Sequence, residues 1–300
     1  MRIAITGSSG LVGSALRRHF ESGGHAVLPV TRRRERARAD APYWNPDANE
    51  MDAASFEGVD VVVHLAGESL FGVWTKGRKA RIRRSRAEGT RLLAEGLASL
   101  ARPPRVLVSA SGVNYYAPRS ANVPLDESAP AGDGFLAEVV RAWEAGTQPA
   151  ERAGIRTAQL RFGLVIAREG GIVQKMLPPF RLGLGAIVGP GDQAWSWIAL
   201  ADLPAIIDHV IATPQLRGGI NTTAPNAVTS REFSQTLGRV LNRPVPLRIP
   251  ASAVALLPGG MGRELAIQST NVVPKRLLDS GYPFRFTHLE PALRHVLAAR

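Results

Sequence analysis

The amino-acid sequence predicts an α/β fold: a Rossmann-type doubly wound parallel sheet with a smaller mixed α/β C-terminal lobe. Three observations support this prediction. Apolar strand-like runs alternate with helical segments as far as residue 162, the run "VDVVVHLAG" suits a strand buried on both faces, and a glycine-rich turn joins the first strand to the first helix. Such alternation is typical of a parallel sheet that helices cover on both faces.

The first part of the chain contains the predicted sheet. Strands are expected at 2–6, 26–31, 59–65, 105–109 and 157–162, and helices at 11–22, 78–100 and 135–152. Gly23 and Gly24 give the first helix a natural end before the second strand begins. We therefore assign residues 1–165 to the sheet domain, whose sheet later segments complete.

The C-terminal part, residues 166–300, has a different texture. The stretch "GGIVQKMLPPFRLGLGAIVGPGDQ" is rich in glycine and proline, which predicts irregular structure around a site. Regular patterns then return, with helices expected at 202–212, 230–241, 251–267 and 288–299 and a short strand at 219–222. Asp202 is expected to cap the first of these helices. This lobe is expected to form the substrate side of a cleft.

Composition and charge narrow the class of protein. The 300 residues are 45% hydrophobic, and no apolar run reaches the roughly 18 residues of a membrane span, so we expect a soluble cytoplasmic protein without membrane contact. The net charge of +12 favours anionic partners, but the aromatic content is 6% and no nucleic-acid-binding module is recognisable, so no nucleic-acid partner is expected. The chain has no cysteine, and its histidines lack metal-site spacing, so no metal is expected.

Three glycines mark a dinucleotide-binding turn. Gly7, Gly10 and Gly13 follow an apolar strand at intervals of three and directly precede an amphipathic helix. In such a turn the first glycine permits the tight bend, the second lets the backbone approach a pyrophosphate, and the third allows close helix-to-strand packing. The phosphates are then expected at the N–H groups that begin the helix.

The end of the second strand indicates which nucleotide binds. The run "AVLPVTRRRER" places Thr31, Arg32 and Arg33 where an NAD site usually holds an Asp or Glu. The first carboxylate after this strand is Glu35. A guanidinium binds the 2′-phosphate of NADP through paired donors, whereas a carboxylate repels it. We therefore predict NADP(H), the alternative being an arginine run that is ordinary solvated surface.

Several motifs resemble those of a known family. The spaced glycines, "HLAG" at 64–67 and "VLVSASGVNYY" at 106–116 are similar to those of extended short-chain dehydrogenase/reductases of the NAD(P)-dependent epimerase/dehydratase type. The likeness is narrower to an atypical "epimerase family" subgroup, whose members end in a short domain of unknown function, here about residues 250–296. The motifs that carry this likeness are "WNP" at 44–46, "LAGES" at 65–69, "SR" at 85–86, "WEA" at 143–145, "LPPFRLGLG" at 177–185 and "PKRLLDSGYPFRF" at 274–286.

The resemblance implies roles for individual residues. Thr31 and Arg32 would face the adenosine 2′-phosphate, Arg86 would reach the cofactor from the helix that follows the strand at 59–65, and Leu160 would lie near the nicotinamide. Pairing of two copies through the helices at 78–100 and 135–152 is common in such relatives, although nothing in this sequence requires a homodimer. The full set expected to bind the cofactor is Gly7, Ser9, Gly10, Leu11, Val12, Gly13, Thr31, Arg32, Arg33, Leu65, Ala66, Gly67, Arg86 and Leu160.

The superfamily's usual proton-transfer pair is missing. Relatives use a tyrosine and, four residues later, a lysine that lowers the phenol pKa from its usual value near 10. The run "GFLAEVV" carries Phe135 and Val139 at these positions, and neither side chain can exchange a proton. This departure casts doubt on an epimerase activity.

Other groups after the strand at 105–109 are candidates for catalysis. Ser111 could contact a carbonyl or hydroxyl of the substrate or could cap a turn, and the two alternatives carry similar weight. Tyr115 and Tyr116 could supply a phenol, but core packing with one satisfied hydroxyl is the favoured explanation of two adjacent aromatic rings. The sequence thus supports two interpretations: an NADP-dependent oxidoreductase or epimerase-like enzyme acting on a small sugar-like or carbonyl-bearing substrate, and a non-catalytic NADP(H)-binding or redox-sensing protein.

Overall fold

The computed structural model describes residues 1–38, 40–256, 258–260, 262, 264 and 268–298. Short 3-10 turns occur at Arg34–Arg36, Ala53–Phe56, Val113–Tyr115 and Pro258–Gly260. The helices are α1 (Leu11–Ser22), α2 (Lys76–Ala98), α3 (Phe135–Ala145), α4 (Gln148–Arg152), α5 (Gly171–Arg181), α6 (Leu203–Ala212), α7 (Ser230–Leu241), α8 (Ala251–Ala255), α9 (Lys275–Asp279) and α10 (Leu289–Ala298). The strands are β1 (Arg2–Thr6), β2 (Ala26–Pro29), β3 (Trp44–Asn45), β4 (Glu50–Met51), β5 (Val61–His64), β6 (Val106–Gly112), β7 (Pro124–Leu125), β8 (Arg156–Phe162), β9 (Leu164–Ile166), β10 (Ala186–Val188), β11 (Ala194–Trp195), β12 (Trp197–Ala199), β13 (Gly218–Thr222), β14 (Val228–Thr229), β15 (Leu247–Ile249) and β16 (Asn271–Val272).

Six strands form one parallel sheet, in the order β13-β8-β6-β5-β1-β2. From β1 the chain passes to β2 on one side, and it later returns to β5 on the other side. The connections at the carboxyl ends of β1 and β5 therefore diverge and leave a crevice, which is where open α/β sheets bind their ligands. The predicted Rossmann-type sheet is confirmed.

Helices cover both faces of this sheet. On one face α1 contributes Leu16 and Phe20 and α6 contributes Ile206 and Val210 to a core in which all four side chains are almost fully buried. On the other face Leu93 of α2 and further apolar side chains of that helix pack with Trp44. Burial on both sides explains why β5 begins with three consecutive valines.

A second lobe packs beside the sheet and has its own apolar core. Its buried side chains include Phe180 of α5, Trp195, Trp197, Phe233 of α7 and Leu293 of α10. Strand β9 leaves the sheet directly after β8 and pairs with β12, so the lobe is attached to the carboxyl end of the sheet. This attachment brings the lobe against the crevice.

Three element predictions need correction. The glycine- and proline-rich stretch is not irregular throughout, because Gly171–Arg181 forms α5 although Pro178 and Pro179 lie inside it. The burial of one face of this helix, through Val173, Leu177 and Phe180, stabilises it despite the prolines. The predicted helix at 135–152 is two helices, α3 and α4, which are interrupted after residue 145. Of the predicted helix at 251–267, the structure shows α8 at Ala251–Ala255, and residues 257, 261, 263 and 265–267 lie outside the described part.

Asp202 stands directly before α6, but its side chain does not cap the helix. The carboxylate instead accepts hydrogen bonds from the backbone N–H groups of Arg285 at 2.9 Å and Phe286 at 3.3 Å. Asp202 thereby ties the C-terminal segment to the sheet domain. Across the part of the chain that the structure describes, no helix combines the length and the apolar character that a membrane span needs.

Candidate functional site

The turn after β1 forms a cradle that only glycine can build. Gly7 has φ of 67°, in the left-handed region, and its carbonyl oxygen accepts the N–H of Gly10 at 2.9 Å. A Cβ on Gly13 would stand 2.2 Å from that same oxygen, so any side chain would push α1 away from the turn. No side chain caps α1, so its first N–H groups are available to a phosphate.

A cavity of about 720 Å³ extends from this cradle across the end of β2. Arg32 and Arg33 line it together with Arg36, and the Arg32 side chain is 69% exposed with its guanidinium 3.6 Å from the Asp47 carboxylate. These exposed cations form an anion-binding edge. The predicted residues that line this cavity are Gly7, Ser9, Gly10, Thr31, Arg32, Arg33, Leu65, Ala66 and Gly67.

A second cavity of about 410 Å³ adjoins the first, and Gly7, Gly10 and Leu65 line both. Its walls are mainly apolar. One wall is a face of α3, and other apolar lining residues come from the loop after β5, the end of β8 and the start of α5. The predicted residues that line this cavity are Gly7, Gly10, Leu11, Val12, Gly13, Leu65, Arg86 and Ser111.

The face of α3 offers no proton to the cavity. Val139 lines the cavity, whereas Phe135 packs edge-on against Trp74, with ring centroids 5.3 Å apart. Leu136 and Val140 also line it, at the same four-residue spacing. Neither Phe135 and Val139 nor Leu136 and Val140 can transfer a proton. The tyrosine and lysine of relatives are therefore not replaced by either pair on this helix.

His64, at the end of β5, is held by side-chain hydrogen bonds to β1 and α2. Thr6 Oγ1 accepts the N–H groups of Leu65 at 3.1 Å and Ala66 at 3.2 Å, so its own proton is directed to His64 Nδ1 at 2.7 Å. His64 Nε2 then carries the ring proton and donates it to Thr90 Oγ1 at 3.0 Å. Burial lowers the pKa of His64 to about 3, so the imidazole is neutral and structural.

Arg86 is buried beside the crevice. Its Nη1 donates to the carbonyl oxygen of Glu68 at 2.9 Å, and its guanidinium lies 4.9 Å from the centre of the Trp143 ring. Burial lowers the pKa of Arg86 to about 10, which still leaves the side chain charged at neutral pH. The Arg86 guanidinium lies next to Gly67 and lines the crevice, so its positive charge can attract an anion there.

Ser111 lies at the end of β6 and does not cap a turn. Its hydroxyl donates to Glu144 Oε1 at 2.7 Å. Glu144 accepts two further hydrogen bonds from Arg161, at 2.8 Å to Nε and 2.8 Å to Nη2. Burial alone would lower the pKa of Arg161, but the bonds to Glu144 outweigh it and raise that pKa.

Tyr115 and Tyr116 both contact Arg161 of this ion pair, and neither tyrosine lines either of the two cavities. The Tyr116 hydroxyl donates to Asn221 Oδ1 at 2.6 Å and accepts from Arg161 Nη1 at 2.8 Å, and burial raises the Tyr116 pKa to about 12. The Tyr115 ring lies under the Arg161 guanidinium at 3.5 Å. Tyr116 is therefore buried and Tyr115 is partly buried beside it, so both rings pack within the protein, as the core-packing alternative expected.

The structure brings most of the predicted site residues together at one crevice. Leu160 is the exception among the predicted cofactor contacts, because it is fully buried in the sheet core and Phe162 and Gly163 line the cavity instead. Sequence reasoning missed Glu144, although it lies within the "WEA" motif that was part of the family likeness. Among the described residues there is no group of three or more His, Asp or Glu side chains that could hold a metal.

Comparison with known proteins identifies the family. A profile described as "NAD dependent epimerase/dehydratase family" matches residues 3–221. The chain belongs to this family. A second profile, a domain of unknown function named DUF1731, matches residues 249–296, so the predicted family and its C-terminal domain are both confirmed.

Relatives match along nearly the entire length of the chain. "Epimerase family protein Mb2239" of Mycobacterium bovis is 37% identical over 292 residues, covering 97% of this chain and 96% of the relative. Human "Epimerase family protein SDR39U1" is 34% identical over 303 residues, covering 99% of this chain and 100% of the human protein. Both matches therefore extend over the sheet domain and the C-terminal domain of this chain.

Solved structures agree with this assignment. The crystal structure of human SDR39U1 (isoform2) with NADPH superposes with a TM-score of 0.90 at 33% identity and covers 100% of both chains. A structure described as a nucleoside-diphosphate sugar epimerase from Corynebacterium glutamicum has a TM-score of 0.80 at 34% identity, covering 99% of this chain and 58% of that one. A UDP-N-acetylglucosamine 4-epimerase from Bacillus cereus, at 16% identity and a TM-score of 0.77, shows the shared fold alone.

Proposed function

We propose that this chain binds NADP(H) and acts as an oxidoreductase on a small, largely apolar substrate. The observation that carries the proposal is the 410 Å³ cavity, which shares the lining residues Gly7, Gly10 and Leu65 with the larger cavity and is also lined by Ser111. A concave, mainly apolar pocket with a few polar groups is the usual form of a small-molecule site. Because predicted cofactor-binding residues line part of it, the cavity would hold the nicotinamide end of the cofactor together with the second reactant.

The residues of the crevice fit NADP(H). The glycine cradle and the uncapped start of α1 suit a pyrophosphate, and Arg32 and Arg33 suit a 2′-phosphate. The human relative, whose crystal structure contains NADPH, supports the same choice. When bound, the nicotinamide would supply the ability to give or take a hydride.

The chain's own residues would bind the cofactor, orient the substrate and exclude water. Arg86 would balance phosphate charge at one end of the cavity, and the apolar face of α3 would keep water from the reacting atoms. Ser111 would contact the polar group of the substrate. The mainly apolar walls favour a compact apolar substrate over a nucleotide sugar, whose many hydroxyls need hydrogen-bond partners.

A specific observation favours a second candidate, a non-catalytic NADP(H)-binding or redox-sensing protein. Among the described residues of α3 that line the cavity, none can exchange a proton: Leu136, Val139, Val140 and Trp143. A protein that only reports the nucleotide's redox state would need no such group.

Turnover separates the two candidates. The NADPH complex is mixed with a panel of aldehydes, ketones and nucleotide sugars, and the NADP⁺ complex with the matching alcohols, while the absorbance of the reduced ring is followed. We expect a change with compounds of apolar body, and a smaller rate in the Ser111→Ala variant. Tight nucleotide binding without any turnover across the panel would favour the sensor.

The partners of the chain also remain proposals. We propose a small-molecule substrate, no nucleic-acid or membrane partner and, from the family likeness, pairing of two copies through α2 and α3. Light scattering of the purified chain at low and high salt tests the pairing. A nucleic-acid site would show instead as steep, salt-dependent affinity for duplex DNA.

A further inference from the structure

Ser111 brings a polar atom to the apolar cavity, and its single proton is already engaged. The side chain is 4% exposed, lines the cavity and donates its hydroxyl proton to Glu144 Oε1 at 2.7 Å. A serine hydroxyl has one proton and two lone pairs. The direction of this one hydrogen bond therefore decides what Ser111 can offer to a ligand.

Glu144 can only accept the proton of Ser111. Its carboxylate is paired with both Nε and Nη2 of Arg161, each at 2.8 Å, and the two side chains are 15% and 6% exposed. A carboxylate paired in this way is ionised, and an ionised carboxylate has no proton to donate. The hydrogen bond between the two groups must therefore run from Ser111 to Glu144.

Arg161 is fixed from its other side, so Glu144 cannot easily turn away. Its Nη1 donates to the Tyr116 hydroxyl at 2.8 Å, and that hydroxyl donates to Asn221 Oδ1 at 2.6 Å. The Tyr115 ring covers the guanidinium at 3.5 Å. The group that orients Ser111 is thus a rigid, buried network of hydrogen bonds.

Two side chains on the cavity wall, those of Arg86 and Asn114, donate to the protein itself, and the Trp143 indole nitrogen, which has no hydrogen-bond partner, is buried away from the cavity surface. Arg86 donates to the carbonyl oxygens of Glu68 at 2.9 Å and Ile82 at 3.3 Å, and it lies against Gly67 on the nucleotide side of the cavity. The amide nitrogen of Asn114 donates to the Glu264 carbonyl oxygen at 3.4 Å. These contacts leave Ser111 Oγ as a hydrogen-bond acceptor facing an apolar space.

We propose that the cavity selects a ligand with an apolar body and a hydrogen-bond donor as its polar group, an alcohol in preference to the matching ketone. Ser111 is the residue that determines this specificity, and Glu144 is the positioning residue that sets the direction of its proton. The inference rests on the proposed function, because it concerns the same cavity beside the same nucleotide.

Matched probes test the proposal by binding and need no turnover. The chain is saturated with 1,4,5,6-tetrahydro-NADP, a non-reactive analogue of NADPH, and titrated with 1-phenylethanol and with acetophenone in ligand-observed NMR. One hydrogen bond of ordinary net strength predicts that the alcohol binds about five- to tenfold more tightly. Equal binding, or tighter binding of the ketone, would overturn the proposal.

Variants assign the preference to Ser111 and Glu144. Ser111→Ala should bring the affinity for the alcohol down to that for the ketone, and Glu144→Gln should shrink the ratio because Ser111 can then turn its proton into the cavity. Ser109→Ala, the same change in the same strand at a residue outside the cavity lining, should keep the wild-type ratio. A wild-type ratio in Ser111→Ala would contradict the proposal even if Glu144→Gln failed to fold.

The affinity for the nucleotide analogue shows whether a negative result counts against the proposed function or against the specificity proposal alone. If the analogue does not bind the wild-type chain, the proposed function itself fails. If Ser111→Ala weakens the analogue as strongly as it weakens the alcohol, the acceptor serves the cofactor's carboxamide, and the specificity proposal falls while the proposed function stands.

Discussion

At the scale of single residues, Gly13 shows how closely the cofactor turn is packed. A methyl group there would stand 2.2 Å from the Gly7 carbonyl oxygen, and neither backbone segment can move without shifting β1 or α1. We expect Gly13→Ala to lower the free energy of unfolding by about 1–3 kcal/mol and to abolish detectable NADPH binding. Urea unfolding and calorimetry measure the two effects.

A glycine on α2 provides the control for this prediction. A Cβ on Gly77 would meet nothing closer than Arg81 Nη1 at 3.9 Å. Gly77→Ala should therefore leave nucleotide affinity unchanged and stabilise the chain by up to about 1 kcal/mol. If Gly13→Ala bound NADPH as the wild type does, the described turn could not be the phosphate cradle.

His64 makes stability depend on pH. Burial lowers its folded-state pKa to about 3 from an ordinary 6.5, so below pH 6.5 the unfolded chain takes up a proton that the folded chain does not. The free energy of unfolding should therefore fall as the pH drops from 6.5 towards 3, by at most about 1.4 kcal/mol per pH unit from this residue. Denaturant titrations between about pH 7 and about pH 5 measure the slope.

A variant isolates the contribution of this histidine. His64→Asn keeps a small polar side chain between Thr6 and Thr90 but cannot titrate. It should be less stable than the wild type at neutral pH and lose less stability on acidification. Parallel losses in both proteins would assign the pH dependence to other groups.

At the scale of elements, α3 depends on a residue far away in the sequence. The carboxylate of Glu264 accepts the N–H groups of Phe135 at 3.1 Å and Leu136 at 2.9 Å, where the helix begins. A carboxylate at a helix N-terminus accepts free N–H groups and interacts favourably with the positive end of the helix dipole. Glu264→Ala should therefore cost about 0.5–2 kcal/mol of stability. Glu264 lies within the C-terminal domain, so this domain stabilises a wall of the cavity.

Conservative and distant substitutions check this effect. Glu264→Gln keeps an acceptor without the charge and should lose less stability than Glu264→Ala in urea unfolding. Glu88→Ala removes an exposed carboxylate from α2 and should change stability by less than about 0.5 kcal/mol. Equal losses at Glu264 and Glu88 would show that the contact at α3 does not form.

The elements also show which features a sequence can predict. The bounds of β1 and α1 were predicted residue for residue, because a strand, a glycine turn and an amphipathic helix are all local patterns. The helix α5 was missed, because local proline signals were overridden by burial of one helix face in the second lobe. The ion pair of Glu144 with Arg161, which fixes Ser111, joins a helix to a strand and has no local pattern.

At the scale of the whole molecule, the described fold joins two kinds of cavity along one crevice. The cavity at the end of β2 is edged by exposed arginines, and the cavity beside α3 is walled by apolar side chains. Positive charge at one end and apolar walls at the other suit a phosphate-rich coenzyme whose reactive ring meets a compact substrate. Recognition of the 2′-phosphate by these arginines is therefore central to the proposed function.

Isothermal titration calorimetry of NADPH and NADH tests this recognition most directly. We predict that the wild-type chain binds NADPH at least about tenfold more tightly than NADH, and that Arg32→Ala removes about tenfold of the NADPH affinity while changing NADH little, because charged hydrogen bonds to the phosphate are lost. Arg91→Ala, on the exposed face of α2, is the matched control. Equal affinity for both nucleotides, or tighter binding of NADH, would contradict the account.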